Sequence, residues 1–182
     1  MATRETLADL VTVERSSFPA AARSFLSDRG LDPDRVDRMD ADLGALLPDP
    51  VANQTASLSA HERDLCRRAW ALDRAPLGIT VAGPVYQDTP IVYANRTFRE
   101  LTGYSLSAVH GENPRLLQGP DTEPGPVDAL REALDIWEPV TVDLWNYRAD
   151  GERFRNRVSL VPTRDADGML SNWVGLQGRV ER

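Results

Sequence analysis

Gly111-Glu112-Asn113-Pro114-Arg115-Leu116-Leu117-Gln118-Gly119 (GENPRLLQG) is the stretch from which the rest of the chain is read. Asn113 is a strong helix N-cap, because its side-chain oxygen can accept from a backbone N–H in the first turn. Pro114 then falls at the first helical position, where the N–H that proline lacks would have had no intrahelical partner. The pair predicts a short helix that carries Arg115 and Gln118. Arg115 offers a fixed cationic fork suited to an anion, and Gln118 an amide able both to donate and to accept.

Downstream, residues 127–136 are amphipathic with helical spacing, and three strands follow at 140–148, 153–163 and 170–177. The connections between those strands contain Asp150-Gly151 and Asp167-Gly168, a short-range hairpin signal. Upstream, short strands at 79–82 and 91–94 flank a polar connection, and helices are expected at 96–102 and 106–110. Before Pro76 the composition changes to Ala, Arg, Asp and Leu at helical spacing. Helices are expected there over 4–13, 18–28 and 34–47, stopped by Ser-Asp-Arg-Gly at 27–30 and Pro-Asp-Pro at 48–50. Residues 49–57 read as a linker. Ser59 and Glu62 stand at capping-box spacing and open a helix over 59–73. Its apolar stripe is Leu65, Ala69 and Leu72, with Trp70 beside it. The chain is thus expected to divide into a helical extension and linker (1–58), a flanking helix (59–75) and an α+β domain (76–182).

Composition narrows the function. The chain has 182 residues, 41% of them hydrophobic, which is enough for a real core. All 21 basic residues are Arg, and the net charge is −7. Asp28, Asp32, Asp34, Asp37, Asp40, Asp42 and Asp49 concentrate acid in the first fifty positions. This balance argues against nucleic acid as a partner, since phosphate neutralisation needs a basic stripe. It suggests a GC-rich genome, and a halophile (a salt-loving archaeon) or an actinobacterium would fit. No apolar run has the length of a membrane span, so a cytoplasmic protein is expected. His61, His110 and the single cysteine, Cys66, are dispersed, and no metal-ligand spacing, nucleophile motif or phosphate loop occurs. An enzyme is not expected.

The GENPRLLQG string resembles the flavin-binding signature of LOV domains, the blue-light branch of the PAS fold, whose usual form is GxNCRFLQG. Seven of the nine positions agree, counting the free one; the departures are Leu116 for Phe and Pro114 for Cys. Further markers follow in family order: Pro90-Ile-Val-Tyr-Ala-Asn95, Leu101-Thr-Gly-Tyr-Ser105, Gln118-Gly-Pro-Asp-Thr122, Asn146-Tyr147 and Gly175-Leu-Gln177. The resemblance implies a PAS/LOV fold with a five-stranded antiparallel sheet. It puts Asn146 and Asn156 on the pyrimidine edge of a flavin and Gln177 beside the reactive face of the ring. Asn113 and Gln118 would hold the ribityl chain, and Arg115 and Arg131 the terminal phosphate. Leu117, Val127, Leu130, Leu134, Val158, Leu160 and Trp173 would form apolar walls, with Gly175 on the last strand among them. Retention of both arginines favours FMN, with riboflavin or FAD as alternatives.

In the family the cysteine at the position of Pro114 adds to the excited flavin, so the adduct reaction is lost here. What the resemblance then implies is a cysteine-less blue-light receptor signalling by flavin photoreduction. Trp173 is the first candidate electron donor and Gln177 the reporter, with Tyr147, Tyr93 and Trp145 further away or facing outward. A light-independent flavin carrier or redox sensor, and a cofactor-free PAS dimerisation module, are the competing readings. Each aromatic taken singly is also explained by core packing, and each Asn or Arg by ordinary structural roles. A homodimer through the flanking helices is expected, with output through a separate effector.

Overall fold

The computed structural model describes residues 2–41, 43–47 and 51–180. The Pro-Asp-Pro break, the acidic residues Asp42 and Asp49, and residues 181–182 lie outside these. Four helices come first: α1 (Ala2–Thr12), α2 (Phe18–Ser27), α3 (Arg35–Arg38) and α4 (Leu43–Leu46). A 3-10 helix over Val51–Ser57 leads to α5 (Ala60–Ala71). The domain proper then runs β1 (Gly78–Ala82), β2 (Ile91–Ala94), α6 (Arg96–Thr102), α7 (Leu106–Val109), α8 (Pro124–Ile136), β3 (Val140–Tyr147), β4 (Arg153–Arg164) and β5 (Leu170–Arg179).

The five strands form one antiparallel sheet in the order β2-β1-β5-β4-β3. This is the α+β PAS/LOV fold, with a helical segment before the sheet. Two expectations change. The helix expected over 34–47 is two separate turns; Asp40, between them, is a poor helix former whose side chain competes for backbone hydrogen bonds. The linker expected over 49–57 contains a 3-10 helix anchored by the buried Val51.

Strand alternation assigns the two faces of the sheet. On the outer face Ile79, Val81, Val174 and Leu176 belong to one packed cluster with Leu7, Phe18, Phe25, Leu65 and Ala69 from the N-terminal helices. The helix α5 closes its N-terminus with the expected capping box, Ser59 Oγ accepting from Glu62 N and Glu62 Oε2 from Ser59 N. Its stripe, Leu65, Ala69 and Leu72, is buried in that cluster. A homodimer through this stripe is therefore set aside, because the chain's own core already covers it. Buried polar groups tie α1 to α5: Arg68 pairs with Asp64 at 2.9 Å and donates to the carbonyls of Val11 and Val13. From α1, Arg4 reaches the sheet and donates to Leu176 O at 2.6 Å and Ser159 Oγ at 3.2 Å.

Candidate functional site

The inner face of the sheet is covered too, but not filled. α8 packs along β3, yet Ala133 is its one buried residue. Its apolar stripe, Val127, Leu130 and Leu134, faces a cavity of about 310 Å³, a volume within the range of small-ligand sites. Opposite stand Leu144 and Asn146 from β3, Val158 and Leu160 from β4, and Trp173, Gly175 and Gln177 from β5. The GENPRLLQG segment contributes Asn113, Pro114, Arg115, Leu117 and Gln118. A Cβ at Gly175 would collide with Thr80 Oγ1, so only glycine leaves the wall open at that point.

The short helix predicted at Pro114 is a 3-10 helix, Pro114–Leu117, with Asn113 Oδ1 accepting from Arg115 N at 2.8 Å as its cap. The cap leaves the Asn113 amide group free to bridge to the preceding loop. It donates to Asp88 O at 2.6 Å and Thr89 Oγ1 at 2.8 Å. Arg115 forms a two-pronged pair with the Asp88 carboxylate, at 2.8 and 2.5 Å. Asp88 and Thr89 are held at φ 65° and 45°, a left-handed backbone uncommon for such residues. The loop is thereby latched over the mouth of the cavity. The Arg115 hydrogen bonds hold the Asp88 carboxyl below the usual carboxylate range. Arg131 likewise pairs with Asp128 at 2.8 Å. Both arginines expected to meet a phosphate thus already carry a carboxylate.

Deeper in, three amides meet. Asn156 Nδ2 donates to Asn146 Oδ1 at 2.8 Å and to Gln177 Oε1 at 3.0 Å, and all three side chains are buried. Asn146 and Gln177 line the cavity. Asn156, alone among the expected contact residues, does not; it sits behind them and fixes their orientation. Among the described residues five buried side-chain polar atoms lack a hydrogen-bond partner, and two of them, Asn156 Oδ1 and the indole Nε1 of Trp173, belong to this group and the cavity wall. Unpaired buried donors and acceptors are costly. Of the two, Trp173 belongs to the cavity wall, and Asn156 lies behind it.

Several lining residues were not legible beforehand: Thr80, Ala82, Val85, Asp88, Thr89, Asp135 and Leu144. Trp137 was missed as well. It stacks on Trp173 with ring centroids 5.1 Å apart and planes 16° from parallel. The other aromatics named from sequence lie elsewhere. Tyr93 is buried on β2 against Asp73, and Trp145 lies beneath Arg153 and Arg155. Cys66 is buried on α5, where desolvation raises its thiol far above the ordinary range. Among the described residues no helix is long and apolar enough to cross a membrane, and no group of His, Cys, Asp or Glu is arranged to hold a metal.

The PAS domain family model matches residues 76–177. A blue-light-activated histidine kinase 2 from Erythrobacter litoralis is 41% identical over 120 residues, covering 66% of this chain and 33% of that protein. The bacterioopsin transcriptional activator of Halobacterium salinarum is 37% identical over 142 residues, 78% of this chain and 21% of the activator. A solved light-oxygen-voltage domain, studied with a flavin analogue, is 43% identical with a TM-score of 0.58, over 62% of this chain and 83% of its own. The chain spans about a third of the length of the kinase and a fifth of that of the activator. Fold, signature and relatives agree: the chain belongs to the PAS domain family, in its LOV branch.

Proposed function

We propose that the cavity holds a flavin and that the chain is the sensory part of a blue-light receptor working without a cysteinyl adduct. The observation that carries this reading is the pair of buried amides Asn146 and Gln177 on the wall of an apolar cavity, both held from behind by Asn156. A flavin ring has a polar edge with both donors and acceptors and an otherwise apolar face, and the residues present fit it. When bound, it would supply blue-light absorption and one-electron chemistry. Asn146 would meet the pyrimidine edge, with Asn156 supporting it from behind. Val127, Leu130, Leu134, Leu117, Val158 and Leu160 would enclose the ring, and Gly175 would leave it room. Asn113 and Gln118 line the part of the cavity nearer the mouth, where a ribityl chain would run. Arg115 and Arg131 at that mouth would meet a phosphate, which favours FMN.

Gln177 is the residue we propose as reporter. Its Oε1 accepts from Asn156, so a change in what the ring edge donates is answered by rotation of this amide. The adjoining peptide carries the Leu176 carbonyl that Arg4 of α1 grips. A local hydrogen-bond change thus has a short route to the N-terminal helices, the kind of local event that can have a distant readout. We place the extension at 1–58, the flanking helix at 59–75 and the sensory domain at 76–182, acting in the cytoplasm on an effector outside this chain.

The test is an absorption spectrum before and after blue light without oxygen, with the flavin extracted and identified. A flavin spectrum that bleaches to the reduced form is expected. Protein that stays colourless after incubation with FMN and riboflavin sinks the reading; a spectrum that answers reductant but not light makes the chain a redox sensor.

A further inference from the structure

Four tryptophans are present, at 70, 137, 145 and 173, and they fall into two kinds. Trp70 lies under the guanidinium of Arg35 at 3.9 Å, and Trp145 under those of Arg153 and Arg155 at 4.6 and 5.6 Å. A cation over a ring stabilises its electrons and opposes a positive hole on it. Among the described residues Trp137 and Trp173 carry no such cation and instead stack on each other. A stacked pair shares a hole, so it is the easier pair to oxidise.

Placement makes the pair a path. Trp173 is 1% exposed and lines the cavity; Trp137 is half-buried and reaches solvent. Trp137 also occupies a costly position. It ends α8 at φ 55° and ψ 42°, the left-handed C-cap where glycine is the usual residue. A bulky side chain in that conformation is strained. The indole at this position is held in place by its contact with Trp173.

On the reading that flavin fills the cavity, we infer that Trp173 and Trp137 form a two-step electron relay from a soluble donor to the bound ring. The chain is therefore a light-driven oxidant of small one-electron donors, for which a small thiol is the probe. Under illumination Trp173 gives one electron to the ring and becomes a cation radical. Trp137 gives one electron to Trp173, which moves the hole to the surface. A thiolate restores Trp137 and leaves as a thiyl radical, and two such radicals couple to a disulfide. In the dark, dioxygen would be the terminal acceptor of the electron delivered to the ring, which would close the cycle.

The experiment compares wild type with Trp137→Phe, Trp137→Gly and Trp173→Phe, loaded with FMN and illuminated without oxygen at increasing concentrations of a small thiol. Trp137→Gly also relieves the backbone strain, so its loss of function is not a loss of fold. Both Trp137 variants should keep FMN affinity and the quenching of flavin fluorescence by Trp173, and lose the thiol-dependent part of the bleaching severalfold. In apoprotein their near-ultraviolet circular dichroism should lack the coupled signal of a stacked indole pair. Trp173→Phe should raise flavin fluorescence as well. If wild type binds FMN and bleaches, and both Trp137 variants bleach with the same thiol dependence, the relay is overturned while the flavin reading stands. If wild type takes up no flavin, that reading fails and the relay with it.

Discussion

On the outer face of the sheet, Ile79, Val81, Val174 and Leu176 are packed against Leu7, Leu65 and Ala69 of the N-terminal helices. On the inner face, Leu160, Gly175 and Gln177 look across a cavity at Val127, Leu130 and Leu134. The same alternating strands build both. They differ in what covers them: on the outer face the capping side chains come from the chain itself, and on the inner face α8 stands off from the wall. Packing along β1 and β5 secures stability on the outer face. On the inner face the polar atoms Asn156 Oδ1 and Trp173 Nε1 are left without a protein partner. On the proposed reading, stability rests mainly on the first side and ligand binding on the second.

The sharpest way to break this division is to compare truncations on each side. Arg68→Ala leaves buried Asp64 with only the exposed Arg15, at 3.5 Å, and frees the carbonyls of Val11 and Val13, a loss of about 3 kcal/mol. Leu7→Ala opens a void in a fully buried site and should cost about 2–5 kcal/mol. Leu130→Ala, on the half-exposed cavity wall, should cost on the order of 1 kcal/mol in apoprotein. Denaturant unfolding of the three variants checks the order; equal losses for Leu7 and Leu130 would show that the inner wall is part of the core after all.

Filling the hollow side should supply what it lacks. Flavin at a hundredfold excess over its Kd should stabilise the wild type by about 2.7 kcal/mol. Thermal melts with and without FMN measure this. The gain should shrink in Leu130→Ala and stay intact, on a lower baseline, in Leu7→Ala. A gain that shrinks equally in both would merge the two faces into one energetic unit.

The difference between the faces also sets what could be read from residues alone. Asn113 and Pro114 obey a local capping rule and so were legible, as were the strands bounded by Asp-Gly turns. Most wall residues were reached only through the resemblance, because nothing in Val158 or Leu160 separates a cavity lining from a core. The stripe Leu65-Ala69-Leu72 showed helix periodicity but not its partner; covering by the same chain or by a second copy gives the same spacing. Trp137 was invisible, since a left-handed helix end predicts glycine or asparagine. The Arg115–Asp88 pair was hidden for another reason: the two are 27 positions apart and meet only when the β1–β2 connection folds over the cavity mouth.

Pro114→Cys tests the hollow face chemically. Pro114 lines the cavity, so the variant places a thiol on its wall, where the resemblance expects one. It should show light-induced loss of flavin absorption that needs no added donor and recovers in the dark. Mass spectrometry of the illuminated protein, denatured under acid, would find the flavin mass if an adduct forms. Persistence of donor-dependent bleaching alone would mean that the wall is displaced from the ring at that point.

The smallest effect concerns the mouth, where the two faces' chemistry meets solvent. Asp88 competes with a phosphate for Arg115, and both side chains are largely exposed, 64% and 60%. Exposed pairs contribute little, so the consequence is one of selectivity more than stability. Asp88→Asn should raise affinity for FMN a few-fold relative to riboflavin, measured by fluorescence titration of both. Acidification should act in the same direction. The Asp88 pKa is lowered in the folded protein, chiefly by its hydrogen bonds to Arg115, so the latch is fully present above the ordinary carboxylate range. It is lost as pH falls through the depressed folded value. Below that value the phosphate has already fallen to a single charge, its second pKa being about 6, and the wild-type preference for the phosphorylated flavin should approach that of Asp88→Asn at the same pH. An unchanged FMN-to-riboflavin ratio in Asp88→Asn would mean that Arg115 holds the loop and does not read the ligand's tail.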